Sequence, residues 1–267
     1  MSDRPDFDNM SCPLPILDHD TIQLAHGAGG MLSAELIDKM ILPRFACDEL
    51  TPLEDQAVLD LPPGRLAFST DTFVVSPIFF PGGDIGDLAI NGTVNDVAMS
   101  GADVHALSVG FVLEEGFPMA DFHRILCSME TAAKSAGVRV VTGDTKVVGK
   151  GSCDGIFINT SGVGVIPEGV ALSAASLAAG DVVLLSGTLA DHGMAVMTVR
   201  EGLSFQSSVR SDTAALNGMV RDLLKASPGL KTLRDPTRGG AATTLNEFAA
   251  TSKVGIKLDG SAVPLKA

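Results

Sequence analysis

Aromatic residues are scarce in this chain, which has no tryptophan, no tyrosine and 12 phenylalanines in 267 residues. A hydrophobic core must therefore be built mostly from Ala, Val, Leu, Ile, Met and Phe, which suits layered α/β packing. With 45% apolar residues the chain is long enough for two domains or one large one. This composition excludes a largely disordered protein.

Positive charge is also in short supply, since the formal net charge is −13. Nonspecific binding to nucleic acid or to an anionic membrane needs a basic surface, so neither is expected. No apolar run reaches the ~18–20 residues that cross a bilayer, and the first ten residues are acidic where a signal peptide is basic. We therefore predict a cytoplasmic protein in which any anionic ligand is met by locally supplied positive charge.

The four cysteines are widely spaced, and no two of them form a C-x-x-C pair. Zinc clusters and disulfide frameworks usually show closer or regular spacing. The spacing therefore predicts neither, and reduced thiols are expected.

Glycine, proline and apolar patterns divide the chain into a loose polar leader at 1–20, a domain at 21–167 and a second α/β domain at 168–267. In the first domain we predict a glycine loop and helix near 26–45, a strand at 65–80 broken at Ser69–Thr72, and a helix capped by Asp84. A strand, a helix ending at Gly137 and two strands follow. In the second domain we predict strands at 181–187 and 254–260 and three helices between them. Two strands are few for a closed sheet, so this domain is expected to be incomplete.

Three carboxylates stand where regular structure is predicted to break: Asp71, Asp96 and Asp144. Carboxylates at strand ends suit Mg²⁺, which takes oxygen ligands and is completed by phosphate and water. Lys146, two residues after Asp144, can pair with a phosphate. The alternative is that each aspartate only caps a helix or turn.

Other candidate groups carry weaker signals. The glycine-rich HGAGG at 26–30 precedes a helix and can face an anion with its backbone N–H groups, although it can also be a simple turn. RDPTRGG at 234–240 carries two arginines before a helix with Glu247, which suggests either a phosphate grip with a base or a surface ion-pair cluster. His192 is either an acid/base group or a structural histidine. Asn91 and Asn95, one turn apart on an apolar helix, need partners.

Taken in order, HGAGG, SPIFFPGGDIGDLAINGTVNDVAMSGA, TGDTKVV, SGTLADHGMAV and RDPTRGGAATTLNE resemble the HypE family of hydrogenase maturation proteins. That family is part of the ATP-binding superfamily of aminoimidazole ribonucleotide synthetase, selenophosphate synthetase and thiamine-monophosphate kinase. The resemblance implies a two-domain PurM-like α/β fold whose N-terminal domain dimerises through its strands. It also implies ATP-dependent dehydration of a cysteine S-carboxamide to a thiocyanate, which supplies cyanide to the iron of [NiFe] hydrogenase. The implied partners are a second copy, the carbamoyltransferase HypF and the HypC–HypD scaffold.

The resemblance also implies roles for residues, with ATP and Mg²⁺ as cofactors. Lys146, Glu247 and His192 would be catalytic, with Glu247 or His192 as the proton acceptor, and Asp71, Asp96 and Asp144 would hold Mg²⁺. The nucleotide would be bound by the following set: Gly27, Gly29, Gly30, Asp71, Thr72, Asn91, Asn95, Asp96, Gly143, Asp144, Thr145 and Arg238.

One departure from the family pattern concerns the C-terminus. HypE-like chains end in Pro-Arg-Ile-Cys, whereas this chain ends AVPLKA and has no cysteine after Cys153. The chain is either a truncated form or an unusual variant, and we expect the truncated form, which does not complete cyanide synthesis by itself. Two alternatives stay open: a phosphotransferase acting on a small molecule, and a non-catalytic dimeric scaffold for maturation partners.

Overall fold

A computed structural model describes residues 5–8, 12–202, 209–237 and 239–266. The first part of the chain contains four helices and six strands: α1 (Met31–Leu36), α2 (Leu42–Phe45), β1 (Arg65–Phe73), β2 (Phe79–Phe80), β3 (Gly83–Asp84), α3 (Ile85–Ala98), β4 (Asp103–Glu114), α4 (Met119–Ala136), β5 (Arg139–Val148) and β6 (Ile156–Ile166). A π-helical turn joins α1 to α2, and 3-10 turns lie at Leu24–Gly27, Ala174–Ser176 and Gly260–Ala262. The second part contains α5 (Asp191–Arg200), α6 (Asn217–Ala226) and α7 (Gly240–Ser252).

Four of the strands form one sheet in the order β1-β6-β4-β5. β4 and β5 are parallel, whereas β6 is antiparallel to both of its neighbours. Helices α3 and α4 cover one face of this sheet, and most of the apolar core lies between these helices and the sheet. Side chains alternate between the two faces of a strand, so each strand also presents residues to the uncovered face.

Helix α3 begins where the sequence predicts, because Asp84 caps it. The Asp84 carboxylate accepts hydrogen bonds from the backbone N–H groups of Gly86 and Asp87, and Asp87 accepts from the backbone N–H of Asp84 in return. This capping box satisfies the donors that the first turn leaves unpaired. Gly86 lets the helix approach α4 closely, since a Cβ there would lie 2.6 Å from the carbonyl oxygen of Ile125.

The end of α4 also follows the prediction. Gly137 is in the left-handed conformation with φ +69°, and its N–H bonds back to the last turn. Residues other than glycine rarely adopt this conformation. The chain then enters β5 directly.

Three predicted features of the secondary structure are wrong. β1 continues through Ser69–Thr72 without a break, because each of its residues pairs with one of β6. The segments at 181–187 and 254–260 are not strands, and the described residues after 166 contain helices and irregular chain only. Val182 and Leu184 are 80% and 77% exposed, so apolar sequence alone did not provide a neighbouring strand.

The predicted leader contacts the first domain at a few points in the part that the structure describes. Phe7 is 4% exposed and belongs to the core, whereas Leu14 and Ile16 are 48% and 91% exposed. Cys12 is joined to Cys127 of α4 by a disulfide, which corrects the expectation of four reduced thiols. The disulfide therefore holds the part of the predicted leader around Cys12 against α4.

No helix within the described residues combines the length and the apolar character that a membrane span needs.

Candidate active site

Three carboxylates form an acidic cluster, defined here as Asp71, Asp96 and Asp235. Asp71 lies on β1 and Asp96 on α3, where the Asp96 carboxylate accepts a hydrogen bond of 3.0 Å from Ser69 Oγ. Burial raises the pKa of Asp96, and the negative charge of Asp71 raises it further. The strand and the helix thus bring two of the predicted metal ligands together.

Asp235 joins this cluster from the second part of the chain. Burial raises its pKa to about 7, with a further increase from the charges of Asp96 and then Asp71, while Arg234 opposes the shift. Sequence reasoning considered the two arginines of RDPTRGG and missed the aspartate between them. The available signal was its position before a proline, where extended backbone is favoured and a helix is not.

Asp144 does not belong to the acidic cluster within one chain, which corrects the expectation that all three predicted aspartates gather. It lies on β5, whereas Asp71 lies on β1 at the opposite edge of the four-stranded sheet. Three strand spacings separate these edges, or about 14 Å. Asp144 is instead paired with Lys146 at 2.9 Å, and both side chains are about two-thirds exposed.

The two aspartates also point to opposite faces of the sheet. Ser69 and Phe73 on β1 face α3, so the alternation along the strand places Asp71 on the same covered face. Asp144 of β5 lies beside Gly110 of β4, Gly110 lies beside Asn159 of β6, and Asn159 lies beside Thr72 of β1. Side chains at positions that lie beside one another in a sheet point to the same face. Asp144 and Thr72 therefore share the uncovered face, where Thr72 Oγ1 accepts a hydrogen bond from Asn159.

A second group of predicted residues lines an edge pocket, defined here by Gly27, Gly29, Gly143, Asp144, Thr145 and Lys146. The pocket has a volume of about 270 Å³, and apolar side chains from α1, α2 and the sheet form its floor. Gly27 passes so close to β5 that a Cβ would lie 2.7 Å from the backbone nitrogen of Val147. Gly29 has φ +77°, and Gly30 caps the six-residue α1. The glycine loop and the GDTK strand thus meet, as the predicted nucleotide site requires.

Asn91 and Asn95 contact protein rather than open space. Asn91 Nδ2 donates to Thr213 Oγ1 at 3.2 Å, and Asn95 Nδ2 donates to the carbonyl oxygen of Ala214 at 2.9 Å. Asn95 Oδ1 accepts from the backbone N–H of Leu216 at 2.8 Å. The amides of α3 therefore hold residues 213–216 against the first part of the chain.

The two predicted proton acceptors lie in different surroundings. Glu247 on α7 forms an ion pair with Arg234, next to Asp235 of the acidic cluster. His192 Nδ1 is 3.0 Å from Ser211 Oγ, and its ring packs edge-on against Phe80. Burial lowers the pKa of His192, with Asp212 opposing the shift. Arg238 lies outside the described residues.

Family models match both parts of the chain. The AIR synthase related protein N-terminal domain matches residues 53–166, and the corresponding C-terminal domain matches residues 178–267. The carbamoyl dehydratase HypE of Cupriavidus necator is 51% identical over 245 residues, which is 91% of this chain and 70% of that protein. The chain belongs to the HypE family.

Solved HypE structures agree with this assignment. A HypE in complex with ATP superposes with a TM-score of 0.89 at 49% identity, covering 91% of this chain and 72% of that one. The structure of a HypE–HypF complex matches with a TM-score of 0.74 at 49% identity, covering 89% of this chain and 75% of that one. HypE membership within the AIR synthase related proteins confirms the predicted α/β two-domain PurM-like class. It also confirms the resemblance to carbamoyl dehydratases.

Proposed function

We propose that this chain is an ATP-dependent carbamoyl dehydratase that converts a cysteine S-carboxamide into a thiocyanate in the cytoplasm. The single observation that carries the proposal is the match to an ATP-bound HypE across 91% of the chain at 49% identity. In the balanced reaction, the carboxamide and ATP give the nitrile, ADP and phosphate, and the carboxamide oxygen leaves within the phosphate. The thiocyanate is the source of cyanide for the iron of [NiFe] hydrogenase.

The acidic cluster has the chemistry of a magnesium site. Burial raises the pKa of Asp235 to about 7, and the negative charges of Asp96 and Asp71 add to the increase, so the three carboxylates repel one another when they are ionised. A divalent cation with oxygen ligands relieves that repulsion. Asp71, Asp96 and Asp235 would hold Mg²⁺, which supplies charge neutralisation for the phosphates of the nucleotide.

The edge pocket supplies the remaining nucleotide contacts in this proposal. Gly27, Gly29 and Gly30 present backbone N–H groups, and Gly143, Asp144, Thr145 and Lys146 come from the facing strand. Lys146 can leave its exposed ion pair with Asp144 to neutralise phosphate charge, since such pairs contribute little stability. Thr72, Asn91, Asn95 and Arg238 complete the nucleotide set, the two asparagines by holding residues 213–216 in place.

A homodimer would bring the two groups of residues closer than one chain does. Leu66 and Phe68 lie on the uncovered face of the sheet and are 60% and 71% exposed. Exposed apolar residues on a sheet face are typical of an interface. Since Asp144 shares that face, a second copy packed there would place its Asp144 and Lys146 against the neighbouring chain. HypF and the HypC–HypD scaffold are the further partners that we propose.

The proposed reaction needs a base that removes an N–H proton, and the ion pair of Glu247 on α7 bears on which residue this is. An amide oxygen is a poor leaving group, so phosphoryl transfer to it produces an imidate phosphate, and a base must then remove the N–H proton as phosphate departs. Glu247 is the better-placed acceptor, since its partner Arg234 adjoins the acidic cluster. His192 is the other acceptor in the proposal and lies beside Phe80.

The test supplies the S-carboxamide on a separate cysteine peptide together with ATP and Mg²⁺, and follows peptide thiocyanate by mass spectrometry. We expect thiocyanate and phosphate in equal amounts. Asp96→Asn should lower the rate at least about 100-fold, as expected for the loss of a group that positions phosphate charge. Asp181→Asn, which removes an ion pair with Lys231 elsewhere on the surface, is the matched control and should leave the rate unchanged.

Two results would overturn the proposal. ATP consumption without thiocyanate would instead indicate a small-molecule phosphotransferase. Calorimetry that detects partner binding but no affinity for ATP would indicate a scaffold.

A further inference from the structure

A cluster of sulfur and nitrogen atoms lies beside α4, apart from the acidic cluster and the edge pocket. One potential ligand atom from each of Cys12, His123 and Cys127 falls within 4.8 Å of the other two. Cys12 and Cys127 form the disulfide, with a Cα–Cα distance of 6.6 Å across 115 residues of sequence. His123 and Cys127 are buried, and Cys12 is partly buried.

The geometry of α4 explains how two of these residues meet. His123 and Cys127 are four residues apart, so their side chains lie on the same side of the helix, one turn apart. His123 Nε2 is 3.7 Å from Cys127 Sγ. Cys12, from the predicted leader, reaches the same point.

His123 is an unusual group to bury. His123 is 3% exposed, and its Nδ1 has no hydrogen-bond partner among the described residues. Buried polar atoms in folded proteins are nearly always satisfied, so an exception needs an explanation. Burial lowers the pKa of His123, the positive charge of Arg44 lowers it further, and the backbone of Pro13 and Cys12 opposes the shift.

A pocket opens onto this cluster from outside. It has a volume of about 180 Å³, and its lining consists of Cys12, Leu14, Ala120, His123, Arg124 and Cys127. An ion can enter there, and a water or a small ligand has room to complete its coordination. Zinc is commonly bound by three protein ligands with a fourth coordination position left open.

We propose that Cys12, His123 and Cys127 bind a thiophilic divalent ion of the Zn²⁺ type when the two cysteines are reduced. A site with two thiolates and one neutral imidazole binds Zn²⁺ in preference to Mg²⁺ or Ca²⁺. The disulfide and the metal-bound form are alternative states of one site, because a sulfur held in a disulfide has no thiolate to offer.

The exchange between the two states balances with a dithiol as reductant. The dithiol delivers two electrons and two protons, the bond between the Cys12 and Cys127 sulfurs breaks, and the dithiol itself becomes a cyclic disulfide. Binding of the ion then releases the two thiol protons. In both states the N-terminal segment stays tied to α4, by a covalent bond in one and by the ion in the other.

Zinc titration of reduced and oxidised protein tests the proposal without any substitution. The chain is reduced anaerobically with a dithiol, desalted and titrated with Zn²⁺ against a chromophoric chelator. We expect one tightly bound ion per chain in the reduced protein and none in the oxidised protein. Co²⁺ in place of Zn²⁺ should show thiolate-to-cobalt charge-transfer absorption only after reduction.

Substitutions then identify the ligands. Cys12→Ser and Cys127→Ser should each abolish tight binding, and His123→Gln should weaken it at least about tenfold. The double variant of Cys47 and Cys153 to serine, the two cysteines outside the disulfide, is the matched control and should bind as the wild type does. Circular dichroism confirms that each variant is folded.

Equal zinc binding by reduced and oxidised protein would overturn the proposal. So would tight binding that survives Cys127→Ser, that is unaffected by His123→Gln, or that disappears in the variant of Cys47 and Cys153.

Discussion

The two parts of the molecule differ in how they bury their apolar residues. The part up to residue 166 has a sheet with two helices packed on one face, and nearly all of the buried apolar side chains belong to it. Among the described residues after 166, only Ala195 and Val220 are buried apolar residues. The second part therefore depends on contacts with the first, through α6, through Asn91 and Asn95, and through the bond from Asn217 Nδ2 to the carbonyl oxygen of Ala136. A sequence can be apolar in both parts and still build a core in only one.

The largest expected effect comes from breaking the core of the first part. Phe122 is fully buried and packs edge-on against Phe111, so Phe122→Ala should lower the free energy of unfolding by about 3–5 kcal/mol. Leu184→Ala in the second part, where the side chain is 77% exposed, should change it by less than about 0.5 kcal/mol. Urea denaturation of the two variants measures the difference. Similar losses in both would show that the second part has a core of its own.

A smaller effect should follow from cutting the contacts of α3 with the second part. Asn95→Ala removes two hydrogen bonds to residues 214 and 216, and should cost about 1–3 kcal/mol. The loss should be local, so hydrogen exchange should speed up around 209–226 while the sheet stays protected. Asn246→Ala, in which the lost amide donates to Ala242 of its own helix, is the control. Equal acceleration in the sheet would contradict this prediction.

The pH dependence of stability links the two parts through Asp235. Its pKa in the folded chain is raised from 3.8 to about 7, so the folded state holds a proton that the unfolded state releases. Stability from this group is therefore full below pH ~4 and falls as the pH rises toward 7, by a few kcal/mol at most. Asp235→Asn should flatten this slope in chelator-treated, metal-free buffer, as measured by urea denaturation at pH 5 to 8.

Asp84 contributes in the same direction, since burial raises its pKa to about 6. The Asp235→Asn variant should therefore still lose some stability as the pH rises toward 6. An unchanged slope between pH 6 and 8 in Asp235→Asn would show that Asp235 is not buried against Asp96.

The smallest effect is expected for the surface pair that joins α6 to β4. Arg221 Nε lies 3.3 Å from Asp103 Oδ1, and both side chains are about half exposed. Arg221→Ala should cost less than about 1 kcal/mol, and added salt should reduce the difference from the wild type. Thermal unfolding at low and high salt measures it. A larger loss would mean that this pair, and not the amides of α3, holds the second part in place.

Features that depend on local chemistry could be predicted from the sequence. The cap at Asp84 and the glycine end at Gly137 follow from short patterns, whereas the meeting of HGAGG with GDTK was expected only from the resemblance to the HypE family. The segments at 181–187 and 254–260 could not be placed correctly, because a strand requires a neighbour and apolar residues do not reveal whether one exists. Asp235 was missed because its burial depends on residues more than 130 positions earlier in the chain. The link between Cys12 and Cys127 was missed for the same reason, since their spacing carries no signal.

Helix α3 cannot rotate about its own axis without losing several contacts together. One face packs on the sheet and on α4, Asp96 meets Ser69, and Asn91 and Asn95 reach the second part of the chain. A shift of one residue turns a helix by about 100°, which would misplace every one of these groups. An insertion or deletion within 85–98 should therefore be tolerated far less readily than any single substitution there.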